Sequence, residues 1–292
     1  MTQKTSRHFS IAGLQLELQG DNNLDLIERE LGALKRRLPW VDMVVLGELS
    51  LFGAAPKNAI TADDAVWARL CDMARQNGVW FVPGSLFEKQ QDRIYNLAPV
   101  ISPTGEVVAR YRKIFPFFPY EEGVTPGADF VVFDVPEVGR FGISICYDMW
   151  FPETTRTLVS MGAEVIIHPT MTNTIDRDVE LSIARANAAT NQCYFVDINV
   201  AGDYGVGRSI VCGPGGEVLH QAGSGREIII VDIDLEQVDR VRKRGWHGLG
   251  QVLKSFRDNK VAFPPYVEGG ADTEALRKLG RLEKPGRDRP GV

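Results

Sequence analysis

Cysteine is scarce in this chain. Cys71, Cys146, Cys193 and Cys212 are the only four among 292 residues, and no two form a Cys-x-x-Cys pair. That is sparse for a disulfide framework and wrongly spaced for structural zinc. His8, His168, His220 and His247 are scattered, without the spacing of metal ligands. No apolar run approaches the roughly 20 residues that span a bilayer. Met1 to Ser10 lacks the apolar core of a signal peptide. Neither sign of charge dominates: the net is −5 with 24% charged residues. Collagen-like, disordered and polybasic classes are thereby excluded, and an acidic balance argues against a large nucleic-acid footprint. The expectation is a soluble cytoplasmic protein with no membrane or nucleic-acid partner, no metal and no organic cofactor. No Gly/Ser-rich linker divides the chain, so one domain is expected over 1–268. The stretch 269–292 is charged, Gly-rich and poor in apolar residues. It is expected to be a tail that is flexible or lies at a subunit interface.

What is present alternates. Short apolar runs rich in β-branched residues read as buried strands: Phe9–Leu18, Met43–Leu46, Val79–Val82, Val107–Tyr111, Phe130–Val135, Phe141–Ile145, Val165–His168, Cys193–Asn199 and Ile228–Ile233. Between them, Leu24–Leu38, Asp63–Gln76 and Asp176–Asn191 carry apolar residues at helical spacing. The predicted faces are Leu24, Ile27, Leu31 and Leu34; Val66, Leu70 and Met73; and Val179, Ile183 and Ala186. Alternating strands and helices predict an α/β architecture. Val100 to Ala109 echoes Val211 to His220, each a strand, a Pro-x-Gly turn and a strand. Two such hairpins a hundred residues apart suggest two related sheets packed face to face, unless Pro-x-Gly turns simply recur.

Three polar residues follow strands: Glu48 after Met43–Leu46, Lys113 after Val107–Tyr111, and Cys146 after Phe141–Ile145. In α/β sheets ligands bind beyond the carboxyl ends of strands. Singly each has an ordinary explanation, such as a packed thiol, a solvated ammonium or a helix cap. Their settings add weight. Cys146 lies between a strand and a helix expected to run through Arg156, whose positive end favours thiolate. Lys113 opens an aromatic, proline-stiffened run ending at Glu121 and Glu122, which could wall a pocket.

Glu48 in Leu-Gly-Glu-Leu, Lys113 in Tyr-Arg-Lys-Ile and Cys146 in Ile-Cys-Tyr-Asp resemble the ordered Glu–Lys–Cys set of the nitrilase, or carbon–nitrogen hydrolase, superfamily. Phe-Pro-Glu153-x-x-Arg156 and Ala-Arg-Ala-Asn187 also match, and the resemblance covers about residues 8 to 255. It implies a four-layer α-β-β-α sandwich of the nitrilase type, paired as a homodimer or higher homo-oligomer. It also implies roles. Cys146 attacks the amide carbonyl and forms a thioester, and Glu48 moves the protons. Lys113 and the backbone N–H of Tyr147 hold the oxyanion. Glu121 orients substrate and catalytic groups, with Glu122 as its rival by one position. Asp148 and Arg156 are expected to hold the cysteine turn by ion pairing.

The branch is narrowed by local wording. Cys-Tyr-Asp, rather than the Cys-Trp-Glu typical of nitrile-cleaving members, favours amides. Lys-Ile-Phe, rather than Lys-x-His, favours amidases over carbamoyl-amine hydrolases, and the run to Glu121 resembles the formamidase and aliphatic-amidase branch. The expected reaction is cleavage of a small or medium linear amide with water, releasing ammonia. N-carbamoyl-amine hydrolysis is the runner-up. Two readings of other classes remain: a papain-like hydrolase using Cys146 and His168, and a silent member that binds a metabolite or partner. Trp150, Met149, Tyr120, Phe52 and His168 are expected to contact substrate, with Phe118 near them. Together they suggest a narrow apolar pocket with few charges beyond the catalytic set.

Overall fold

A computed structural model describes residues 7–118, 120–267 and 270–282. Thirteen strands form two sheets among the described residues. The first holds β1 (His8–Gln15), β2 (Met43–Leu46), β3 (Trp80–Val82), β4 (Leu86–Gln90), β5 (Arg93–Ile101), β6 (Val107–Arg112) and β13 (Glu227–Asp234). Its order is β13-β1-β2-β3-β5-β4, with β6 also paired to β5. The second holds β7 (Val131–Val135), β8 (Gly139–Ile143), β9 (Val165–Thr170), β10 (Tyr194–Asn199), β11 (Ile210–Cys212) and β12 (Val218–Gln221), in the order β12-β11-β10-β9-β8-β7. Each sheet has three parallel strands at its centre, β1-β2-β3 and β8-β9-β10, and antiparallel strands outside them.

The period of two along buried strands builds the layers. In β2, Met43 and Val45 face the second sheet, while Val44 and Leu46 face helices. In β9, Val165 and Ile167 face the first sheet, while Ile166 faces the other helical layer. Helices α1 (Leu24–Arg37) and α2 (Val66–Asn77) cover the first sheet, and α3 (Pro152–Ser160) and α4 (Asp176–Asn191) cover the second. The result is an α-β-β-α sandwich. The faces expected of α1 and α2 are buried or partly buried.

For α4 the expected face is wrong. Val179 is 47% exposed, Ala186 is exposed and Ile183 is half-buried. The buried face instead carries Arg177, Glu180, Leu181, Ala184, Asn187, Ala188 and Asn191. Polar groups that pair with one another inside the molecule are invisible to a search for apolar periodicity.

The echoed segments are hairpins, β5–β6 in one sheet and β11–β12 in the other. Gly105 and Gly216 both take φ of +82°, which only glycine adopts without strain, and each hairpin shifts register beside its turn. Strands β4 and β5 of the first sheet escaped the apolar search because Glu88, Lys89, Gln90, Arg93 and Asn96 interrupt them. Of the tail, 270–282 is almost wholly exposed and holds one helical turn, Glu274–Arg277. Residues 269 and 283–292 lie outside the described residues. No helix among the described residues is long and apolar enough to cross a membrane.

Candidate active site

Glu48 sits two residues beyond β2, where its backbone N–H donates to the Thr170 carbonyl at the end of β9, 3.0 Å away. That bond ties the loop of one sheet to the other. Lys113 follows β6 directly, and its N–H donates to Asn96 O at 2.8 Å. Cys146 follows β8 and opens a tight 3-10 turn, Cys146–Trp150. The expected continuous helix is broken at Phe151, after which α3 begins at Pro152. Cys146 has φ of +46°, a left-handed conformation costly for a side chain with a Cβ. Sparse backbone conformations of this kind concentrate at sites that must hold one side chain in one place.

The polar groups converge. Lys113 Nζ donates to Glu48 Oε1 at 2.8 Å and to Glu121 Oε2 at 2.6 Å. Asn96 Nδ2 bridges the same two carboxylates, at 2.8 Å and 2.7 Å. Glu121 also accepts from Phe117 N–H at 2.6 Å. Glu122 is exposed at the surface, whereas Glu121 is buried against Lys113. All four side chains of the Lys113 cluster are buried. Asn96 escaped the sequence reading, although a lone amide inside Tyr-Asn-Leu-Ala is a visible oddity in a buried strand.

Burial raises the Glu48 pKa; Lys113 opposes that rise and Glu121 adds to it. Burial alone would lower Lys113, but Glu121 and Glu48 outweigh it and hold the ammonium well above the ordinary lysine range. The Cys146 thiol is pushed well above its usual value by burial and then by the Glu48 charge. This corrects the expectation of a thiolate favoured by a helix end. The segment is a short 3-10 turn rather than the start of a long helix, and burial disfavours the charged form of the thiol.

Five further expectations are corrected. Asp148 does hold the cysteine turn, but without Arg156. It accepts from Tyr111 Oη at 2.6 Å and from Ile145 and Phe115 N–H at 2.9 Å each. Arg156 instead donates to Thr190 O and stacks on Phe256. His168, expected to contact substrate, is not among the residues lining the cavity. It lies fully buried beneath the turn, with Nδ1 2.7 Å from Ser144 Oγ and Nε2 3.2 Å from Cys146 O. Burial depresses its pKa to about 4, and its contact is to the nucleophile's backbone rather than the thiol. Met149 packs into the core under α4, Phe52 packs against the α1–α2 layer, and Phe118 lies outside the cavity lining.

A cavity of about 500 Å³ opens over the cluster. Glu48, Lys113, Glu121 and Cys146 lie at its base, with Tyr120, Tyr147 and Trp150 on its walls. Its walls also carry Asp176 and Glu180, which the sequence reading missed, so it is less apolar than expected. Glu180 Oε1 accepts from Thr172 Oγ1 at 3.0 Å, and that hydroxyl lies 3.9 Å from Cys146 Sγ. Behind it Arg177 Nη1 pairs with Glu180 at 3.2 Å and Asp197 at 2.8 Å. No group of three His, Cys, Asp or Glu among the described residues is placed to hold a metal ion. The arrangement offers a thiol, a carboxyl to take its proton and an ammonium for a developing negative charge.

Comparison with known proteins points the same way. Residues 11–243 match the family described as carbon-nitrogen hydrolase. The chain is 30% identical over 191 residues to the omega-amidase NIT2 of Homo sapiens, covering 60% of this chain and 69% of that one. It is similar in structure to Saccharomyces cerevisiae Nit3, a member of branch 10 of the nitrilase superfamily. There the TM-score is 0.76 at 26% identity, covering 83% of this chain and 96% of the other. A mutant amidase from Nesterenkonia sp. AN1, solved with acrylamide added at its active-site cysteine, superposes with a TM-score of 0.72 at 25% identity, covering 80% and 97% of the two chains.

Proposed function

The chain belongs to the carbon-nitrogen hydrolase family, and from that membership we propose that it hydrolyses a small or medium linear amide, with a thioester on Cys146 and release of ammonia. The observation that carries this reading is the convergence of Glu48, Lys113, Glu121 and Cys146 at the base of one cavity.

The thiol is held neutral at rest, so proton removal accompanies attack. As Cys146 Sγ bonds to the amide carbon, Glu48 takes its proton. The oxygen that becomes negative is met by Lys113 Nζ and by the N–H of Tyr147, which the first turn of a helix leaves unpaired. Collapse expels the nitrogen, which leaves as ammonia with the proton Glu48 returns. Water then attacks the thioester, again giving its proton to Glu48, and the acid departs as the thiol re-forms. Glu121 and Asn96 keep Lys113 and Glu48 in register through this cycle, as positioning residues. The chain works in the cytoplasm as paired copies, in keeping with four unpaired cysteines and the apolar residues on the exposed side of α4.

The test is a panel of amides, carbamoyl amines and nitriles, scored by ammonia release and by the mass of the acylated protein. Ammonia from amides with an acyl adduct confined to Cys146 is the expected result. Carbon dioxide alongside ammonia, from carbamoyl amines alone, would replace the amide by the carbamoyl group. Turnover undiminished in Cys146→Ala would end the thioester mechanism.

A further inference from the structure

The cavity has an uneven charge balance. Among the described residues its only lining cation is Lys113, and that ammonium is already shared between Glu48 and Glu121. Arg177, just behind the wall, is buried and turned to Asp197 and Glu180. An anionic substrate tail would therefore enter without a free counter-charge and lose its hydration uncompensated.

The opposite sign is well provided for. Asp176 lines the cavity and is half-buried; it accepts from Thr174 Oγ1 at 2.8 Å, and no cation among the described residues pairs with it. A second feature stands independently of this carboxylate. Phe117, Tyr120, Tyr147, Trp150 and Tyr204 line the same space. Several are contiguous: the Phe117 and Tyr147 rings have centroids 5.0 Å apart, and those of Phe117 and Tyr120 are 5.6 Å apart. Aromatic faces attract ammonium groups, and more strongly as water is removed. An aromatic wall beside an unpaired carboxylate is the chemistry of a cation receptor.

We infer that the amide taken by this site carries a positively charged amine at the end remote from the scissile bond, received by the aromatic wall and Asp176. This rests on the amidase reading and names its substrate class. Asp176 is then a specificity residue rather than a catalytic one, since it touches the tail and not the reacting atoms.

Three amides of matched length decide the matter: δ-aminovaleramide, hexanamide and adipamate, which are cationic, neutral and anionic. The expected order of kcat/KM is cationic, then neutral, then anionic, with a step of about tenfold or more between the first two. Asp176→Asn should shrink the cationic-to-neutral ratio about tenfold, and molar salt should shrink it in the wild type. Asp176→Lys should move the preference toward adipamate. Neutral turnover without any charge preference overturns this inference and leaves the amidase reading intact. Adipamate as the best substrate also overturns it. Absence of ammonia from all three removes the amidase reading and this inference with it.

Discussion

At the scale of single residues, the site is a balance between burial and charge. Lys113 is buried because two carboxylates meet it, and each carboxylate is buried because Lys113 and Asn96 meet it. Cys146→Ala should abolish turnover and Cys146→Ser nearly so, with stability shifted by about 1 kcal/mol or less in a denaturant titration. Glu48→Gln should stop both acylation and deacylation. Glu121→Gln should cripple turnover while Glu122→Gln leaves it near wild type; the reverse pattern would contradict the assignment made from the Lys113 contact. His168 yields a pH prediction. Its folded pKa of about 4 lies below the ordinary 6.5, so the neutral ring favours the fold. That contribution, about 3 kcal/mol, is complete above pH 6.5 and lost as pH falls toward 4. Asp148, raised to about 6 by burial, acts in the opposite sense, but it is common to wild type and variant. Melting temperature against pH should therefore fall less steeply on acidification in His168→Asn than in wild type. Equal slopes would rule out the buried neutral ring.

At the scale of elements, strand ends and the loops bracing them set the geometry. The loop after β3 supports the Glu48 loop: Leu49 N–H donates to Ser85 Oγ at 3.0 Å. Gly84, at φ of +79°, sits so close that an added Cβ would overlap the Gly47 carbonyl oxygen. Gly84→Ala should push back the segment bearing Glu48, lowering kcat at least about tenfold and costing about 2 kcal/mol of stability. An alanine variant with wild-type kcat and stability would show that this contact does not position Glu48. On α4 the two faces should separate clearly. Leu181→Ala, on the buried face, should cost about 2–4 kcal/mol, and Val179→Ala, on the exposed face, within about 0.5 kcal/mol. The strand assignments around β1, β2 and β9 were legible because both faces of those strands are apolar. The α4 face was not, because its interior side is a paired polar network.

At the scale of the whole molecule, one core fills the space between the sheets and two more lie under the helical layers. The segment 270–282 buries almost nothing. A chain ending at Val267 should accordingly melt within about 2 °C of the full length and keep its activity. A larger drop would make the tail part of the folded unit. Prolonged chelation should leave the rate unchanged, since the proposed chemistry runs on the thiol, carboxyl and ammonium alone. Loss of activity restored by zinc would contradict it.

Order along the chain was enough to single out Glu48, Lys113 and Cys146 as candidates, because each follows an apolar strand and each belongs to a short motif of restricted wording. The Pro-x-Gly turns likewise announced their hairpins, since a glycine at positive φ is a local requirement. Contacts across the fold could not be read that way. Asn96 reaches Glu48 and Glu121 only because β5 packs beside them, and Glu180 enters the cavity only because α4 turns its polar face inward. The same holds for charge. Position at the end of an expected helix favoured a thiolate at Cys146, but burial and the approach of Glu48 push the other way. Desolvation and charge depend on what surrounds a group in three dimensions, and those neighbours are distant in the chain.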